Sequence, residues 1–295
     1  MRRHLAWMCA CVLSVAAAVG AAQQPPAGGA PPGAQQGGQG GGGRGGNRGG
    51  GPPPTARASA PFDMTGYWVS LVTEDWRWRM MTPPKGDYSS VPLNNDGRRV
   101  ADSWDLAKDK AEGNECRAFG AAAVTRHPGR LHITWQDDST LKIETSAGNQ
   151  TRLLRFAHPP GGTTTVAAGE RTWQGTSVAE WRKQQAVRGL GFGGRGDGGV
   201  AGGNLKIVTT GMRAGYLRTN GVPYSENAVV TEYYYRHSGP RDLEWLTVTT
   251  IVDDPTYLAQ PFITSTDFKK ESDGSKFTPT PCAIDPPRLA TAPAQ

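Results

Sequence analysis

Short runs in which apolar and polar residues alternate, each cut off by a turn signal, constrain this chain more than any other feature. A period of two sends successive side chains to opposite faces of a strand, and the Val, Ile, Thr, Tyr and Trp residues that fill these runs suit a half-buried sheet. The pattern predicts strands over 66–73, 76–81, 121–127, 130–135, 140–145, 151–157, 172–181, 205–210, 215–218, 228–236, 243–252 and 262–270, with one helix over 97–110. Pro128-Gly129, Asp137-Asp138, Gly148-Asn149, Asn220-Gly221 and Asp253-Asp254-Pro255 separate them at spacings that suit consecutive antiparallel hairpins. So many strands in a meander leave unpaired edges unless the sheet closes on itself. The expected fold is therefore mainly β, an antiparallel up-and-down β-barrel with one short helix, and a β-sandwich is the alternative.

The ends of the chain read differently. Arg2 and Arg3, an apolar stretch over 5–19 and the small residues Gly20, Ala21 and Ala22 follow the order of a secretory signal, with cleavage expected before Gln23. That stretch falls short of the roughly 20 residues a spanning helix needs. The mature chain is expected to carry no membrane span and to reside in the periplasm or be secreted. Residues 1–22 are thus a signal peptide, 23–60 a disordered Gly/Pro-rich tail, 61–285 the barrel domain with a Gly-rich loop at 189–204, and 286–295 a flexible C-terminal tail.

Two features that invite a nucleotide or nucleic-acid reading dissolve on inspection. Gly189, Gly191 and Gly194 match G-x-G-x-x-G, but the run leads into a strand rather than opening a helix, so no cofactor is expected from it. The formal net charge is +6, yet Arg2, Arg3, Arg44, Arg48 and Arg57 all precede Asp63, the first acidic residue. Subtracting these five from 32 basic residues leaves 27 against 26 acidic ones, so the domain lacks the basic footprint of a phosphate-backbone binder. No nucleic-acid partner is expected.

Cys9 and Cys11 leave with the signal, and the remaining pair, Cys116 and Cys282, is expected to form a disulfide in an exported chain. Register can be argued through 125–144: matching Trp135 with Leu141 and Ile133 with Ile143 keeps the faces unmixed and sets His132 opposite Glu144. With Pro128-Gly129 as a turn, His127 and Arg130 join the same polar face. A His beside a Glu can perform general acid/base work, which makes His132 and Glu144 the candidate catalytic pair, assisted by His127 or Arg130. Two imidazoles and a carboxylate can also hold a metal, although no metal site is assigned. The bland reading is a solvated face with cross-strand charge pairs.

Aromatic density supplies the candidate ligand-binding set: Trp68, Trp76, Trp78, Trp135 and Tyr216, with Arg130 as a polar contact. A barrel of about eight strands encloses space for side chains or one small ligand. Within Glu74-Asp75-Trp76-Arg77-Trp78-Arg79-Met80, a strand would set Arg77 and Arg79 on one face, able to clamp an anionic or sugar-like ligand.

Gly66-Tyr67-Trp68 is similar to the G-x-W that opens the first strand of lipocalins, which implies a lipocalin-like (calycin) barrel with Trp68 across its base. Glu74-Asp75-Trp76-Arg77-Trp78-Arg79, the stretch from Pro128 to Trp135 and Asn220-Gly221-Val222-Pro223-Tyr224-Ser225 also resemble a group of exported bacterial proteins to which no activity is attached. The expected function is an exported lipocalin-like barrel binding a small apolar or amphipathic ligand. The alternatives are a barrel lyase, isomerase or hydrolase using the His/Glu pair, and an envelope scaffold protein.

Overall fold

The computed structural model describes residues 53–157, 170–183, 203–239 and 243–285. The expected signal peptide, most of the expected 23–60 tail, most of the expected 189–204 loop and the expected 286–295 tail lie outside the described residues.

Nine strands close into a ring: β1 (Gly66–Leu71), β2 (Arg130–Asp137), β3 (Thr140–Thr145), β4 (Gln150–Phe156), β5 (Thr176–Lys183), β6 (Gly203–Thr210), β9 (Val229–Ser238), β10 (Glu244–Asp253) and β11 (Phe262–Glu271). A separate two-stranded ribbon joins β7 (Gly215–Tyr216) to β8 (Pro223–Tyr224). Around the ring the order is β1-β11-β10-β9-β6-β5-β4-β3-β2.

The barrel is mixed, which corrects the purely antiparallel expectation: β4 and β5 run parallel, pairing Leu154 with Ser177 and Phe156 with Ala179. Parity gives the reason. Each antiparallel neighbour reverses strand direction, and a closed ring must return to the direction it began with. Nine strands cannot do so with every pair antiparallel, so one parallel seam is required.

The hairpin register is as the alternation dictates: Trp135 faces Leu141, Ile133 faces Ile143 and His132 faces Glu144. Leu131, Ile133, Leu141, Ile143, Leu154 and Ile207 point inward and pack around Trp68 in the main core. Arg152 and Glu232 also lie inside, their side chains 1% and 0% exposed and their Nη1 and Oε1 atoms 3.0 Å apart. Thr209 accepts from Arg152, and the Tyr234 hydroxyl donates to Glu232. At the rim, Trp181 donates from its indole to the Ala56 carbonyl, so barrel contacts begin ahead of residue 61.

Three local expectations are corrected. Residues 121–127 form no strand, because the edge of β2 they would have used belongs to β1, where Tyr67 pairs with His132 and Val69 with Arg130. They coil instead into a 3-10 turn at Val124–Arg126. Residues 76–81 are not a strand either: Asp75, at a left-handed φ of 52°, reverses the chain into α1 (Trp76–Arg79). The helix over 97–110 is two, α2 (Asn95–Asp102) and α3 (Leu106–Ala111), since Asp105 accepts from the amides of Ala107 and Lys108 and starts a new helix. Gly97 lets α2 press on the chain beside it, because a Cβ there would stand 2.4 Å from the Tyr257 carbonyl oxygen.

These helices, the ribbon and the 3-10 turns gather at one rim, where β1 and β10 end and β2, β9 and β11 begin. There they form a cap over a second core that includes Tyr88, Leu217, Val222, Tyr224, Val230 and Phe262. Cys116 and Cys282 are joined by a disulfide, tying the cap to the segment that follows β11.

Candidate functional site

Three stretches of the cap meet around a group of arginines. The first leaves β1 and turns at Asp75 into α1, the second runs through Arg126 and His127 into β2, and the third is the β7–β8 connection with Arg218, Thr219 and Asn220. Burial forces each guanidinium to find an acceptor, and for two of them the fold supplies it. Arg79 donates to the Arg126 carbonyl at 2.9 Å and to the Ser70 hydroxyl at 2.9 Å, and it pairs with Glu74. Arg126 donates to Asp75 at 2.7 Å. On the outer side Arg77 and the Trp78 indole both donate to Asp87, at 2.7 and 3.2 Å, while the Asn220 amide donates to the Pro84 and Asp87 carbonyls.

Arg218 is the exception. It is 4% exposed, and none of its three guanidinium nitrogens has a hydrogen-bond partner among the described residues. The group in contact with it is the Trp78 ring, whose centroid lies 4.5 Å from the guanidinium carbon. The Thr219 hydroxyl, the Asn220 side-chain carbonyl and one Arg126 nitrogen are likewise buried and unpartnered. Burial, reinforced by the Arg126 charge, pushes the Arg218 pKa down to about 10, with Asp75 and Asp87 pulling the other way. Arg218 therefore stays charged at neutral pH. Beside the cluster a cavity of about 220 Å³ opens between Arg79, Met80, Met81, Thr219 and Ile284. Met80 and Met81 present exposed apolar surface at its edge.

The other candidate residues do not share one cavity. Trp68 fills the barrel interior and donates to the Met64 carbonyl at 3.0 Å. Trp135 packs with Phe156 and Trp181 beside the main core, Arg130 pairs with Glu271, and Trp76 is 63% exposed. Tyr216 bonds to Asp109 and Arg117 on another wall of the cap, leaving Trp78 alone of the set beside Arg218.

His132 and Glu144 do meet, Nδ1 and Oε2 being 3.0 Å apart, but on the outer wall, where His132 stacks on Tyr67 at 4.1 Å. Burial is the largest single influence on the Glu144 carboxyl and opposes its charge, but Lys142 and then His132 together outweigh it and hold the carboxyl below its ordinary range. His127 does not join them. It lies in the cap with Nε2 2.7 Å from the Ala118 carbonyl oxygen and its ring 4.2 Å from that of Phe119, and burial, with Arg126 and Arg79 adding to it, pushes its pKa down to about 4. Among the described residues no three metal-binding side chains come together.

Sequence reasoning passed over Arg126 and Arg218. The available signal was proximity: Arg126 stands two residues before Pro128 and Arg218 two before Asn220, beside segments already singled out. Comparison with family models, curated proteins and solved structures returns no match for this chain.

Proposed function

We propose that this domain is a binding protein of an oxidising, exported compartment that takes a small amphipathic anion at the arginine cluster of the cap. The observation that carries the reading is Arg218, a buried cation with five N–H donors and no hydrogen-bond acceptor among the described residues. A buried charge without hydrogen-bond partners costs several kcal/mol, and a cation–π contact returns on the order of 2 of it. A carboxylate or sulfate group recovers the difference through the planar, forked geometry that guanidinium offers. Met80, Met81 and Ile284 receive the apolar part in the neighbouring cavity, which Thr219 borders next to Arg218, and the buried guanidinium meets the anion only as the side chains around it shift.

The Cys116–Cys282 disulfide supports the compartment. No helix among the described residues is long and apolar enough to cross a membrane. A lipocalin-like relation is supported by the buried Trp68 of Gly66-Tyr67-Trp68 and weakened by the parallel seam. With aliphatic side chains and the Arg152–Glu232 pair occupying the interior, the ligand belongs at the capped rim rather than in the lumen. The acid/base reading has less support, since His132 and Glu144 face outward.

The test is titration with octanoate and with octanamide, its neutral counterpart, read by tryptophan fluorescence and thermal unfolding. Octanoate is expected to quench or shift Trp78 emission and to raise Tm, with octanamide silent. Arg218→Met should abolish the octanoate response while raising the Tm of the empty protein, because it removes the unpaired buried charge. Equal responses to both compounds would sink the anion reading.

A further inference from the structure

A second cavity, of about 270 Å³, lies in the cap between α3 and the β7–β8 ribbon, and it shares no lining residue with the cavity beside Arg79. Its walls are aromatic, with Trp104, Tyr216, Tyr224 and Tyr257, and its polar centre is Asp109 with Arg117. We infer that this cavity is a binding site for a neutral hydroxylated ring the size of one sugar unit.

Charge matching excludes ionic ligands. Asp109, 3% exposed, accepts from Arg117 at 2.8 Å and from the Tyr216 hydroxyl at 3.0 Å. At the rim the Asp105 carboxylate is spent on the amides of Ala107 and Lys108, and Lys108 lies 3.9 Å from Glu112. Both cations are thus paired and leave an anion nothing to bind, while Asp105, the one lining carboxylate without a cation beside it, is engaged by the amides that open α3. Hydrogen-bonding capacity nevertheless remains. A carboxylate has about four acceptor sites, and the Trp104 indole N–H, the Arg117 Nε–H and the Tyr224 hydroxyl, which belong to lining residues but lie behind the accessible wall, have no partner among the described residues and reach a ligand only as those side chains turn. Groups that both donate and accept answer such a wall, and hydroxyls do both.

Burial outweighs the Arg117 bond and pushes the Tyr216 pKa to about 12, so its hydroxyl keeps the proton it donates to Asp109. The aromatic faces suit the C–H face of a ring sugar, whose one side is apolar and whose edge is wet. A volume just under the roughly 300–1,000 Å³ of drug-sized pockets admits one such ring and excludes a lipid or a dinucleotide.

The experiment is saturation-transfer NMR on the oxidised full chain with D-glucose, D-galactose, N-acetyl-D-glucosamine and myo-inositol as probes. At least one should bind, with a dissociation constant on the order of millimolar. Tyr216→Phe, which keeps the ring and removes the donor to Asp109, should weaken that binding about tenfold. Ser103→Trp, at an exposed rim position, should plug the mouth and abolish it while near-UV circular dichroism and the octanoate response stay unchanged. Ser103→Trp decides alone if Tyr216→Phe does not fold. Silence from all four probes, or binding that survives Ser103→Trp, overturns the assignment.

Discussion

Lowering the pH from 7 to 4 should destabilise this domain in part through His127. The ring sits against Phe119, and its Nε2 must carry the proton, because the Ala118 carbonyl 2.7 Å away can only accept. A second proton would put a cation into the cap beside Arg126 and Arg79, and this is why the pKa falls from 6.5 to about 4. In the unfolded chain the same ring protonates near 6.5. Between these two values the unfolded state binds a proton that the folded state refuses, so stability is whole above pH 6.5 and declines as pH drops toward 4. At about 1.36 kcal/mol per pH unit the loss reaches about 3 kcal/mol, trimmed toward about 2 by the solvent contact His127 retains. Urea unfolding at pH 7, 5.5 and 4 measures it. His127→Gln keeps an N–H donor and cannot titrate, so its pH dependence should be flatter by this amount, the carboxylates contributing equally to both proteins. Parallel decline of the two proteins across that window would refute the reasoning.

Glu232→Gln leaves Arg152 charged and uncompensated inside the barrel, and urea unfolding should show a loss of about 3–5 kcal/mol, most of it regained in the Arg152→Met/Glu232→Leu double variant. Replacing both Cys116 and Cys282 by Ser frees a loop spanning 166 residues, for which chain entropy predicts a loss of up to about 5 kcal/mol, read as a lower midpoint in the same assay.

How much of this was legible depends on the range of the interaction. The hairpin that sets His132 opposite Glu144 could be read because a two-residue period and a nearby turn are local facts, and a slip of one residue would have buried charge. The disulfide was legible because only Cys116 and Cys282 follow the N-terminal stretch that reads as a signal. The 76–81 stretch misled because its alternation of charged and aromatic residues satisfies a strand as well as a single helical turn, and Asp75 decides between them through a backbone angle that no pattern encodes. The parallel seam follows from the number of strands in the ring, which no segment knows. Arg218 was invisible for a related reason: its lack of an acceptor emerges only when Trp78, Arg126 and Asn220 arrive from distant parts of the chain.

The ring is closed by its first and last strands, with Tyr67 opposite Glu271 and Leu71 opposite Asp267. Until β11 takes its place, β1 and β10 each present a bare row of amides and carbonyls, the kind of edge that recruits other chains. The most sequence-distant pairing in the sheet is thus also the one that ends this exposure, and such pairings form slowly. A copy truncated before Phe262 is expected to behave as an aggregation seed and protease substrate rather than as a weakened version of the whole. The sheet therefore has no protected edge until β11 pairs with both β1 and β10, and closure of the ring hinges on that one strand.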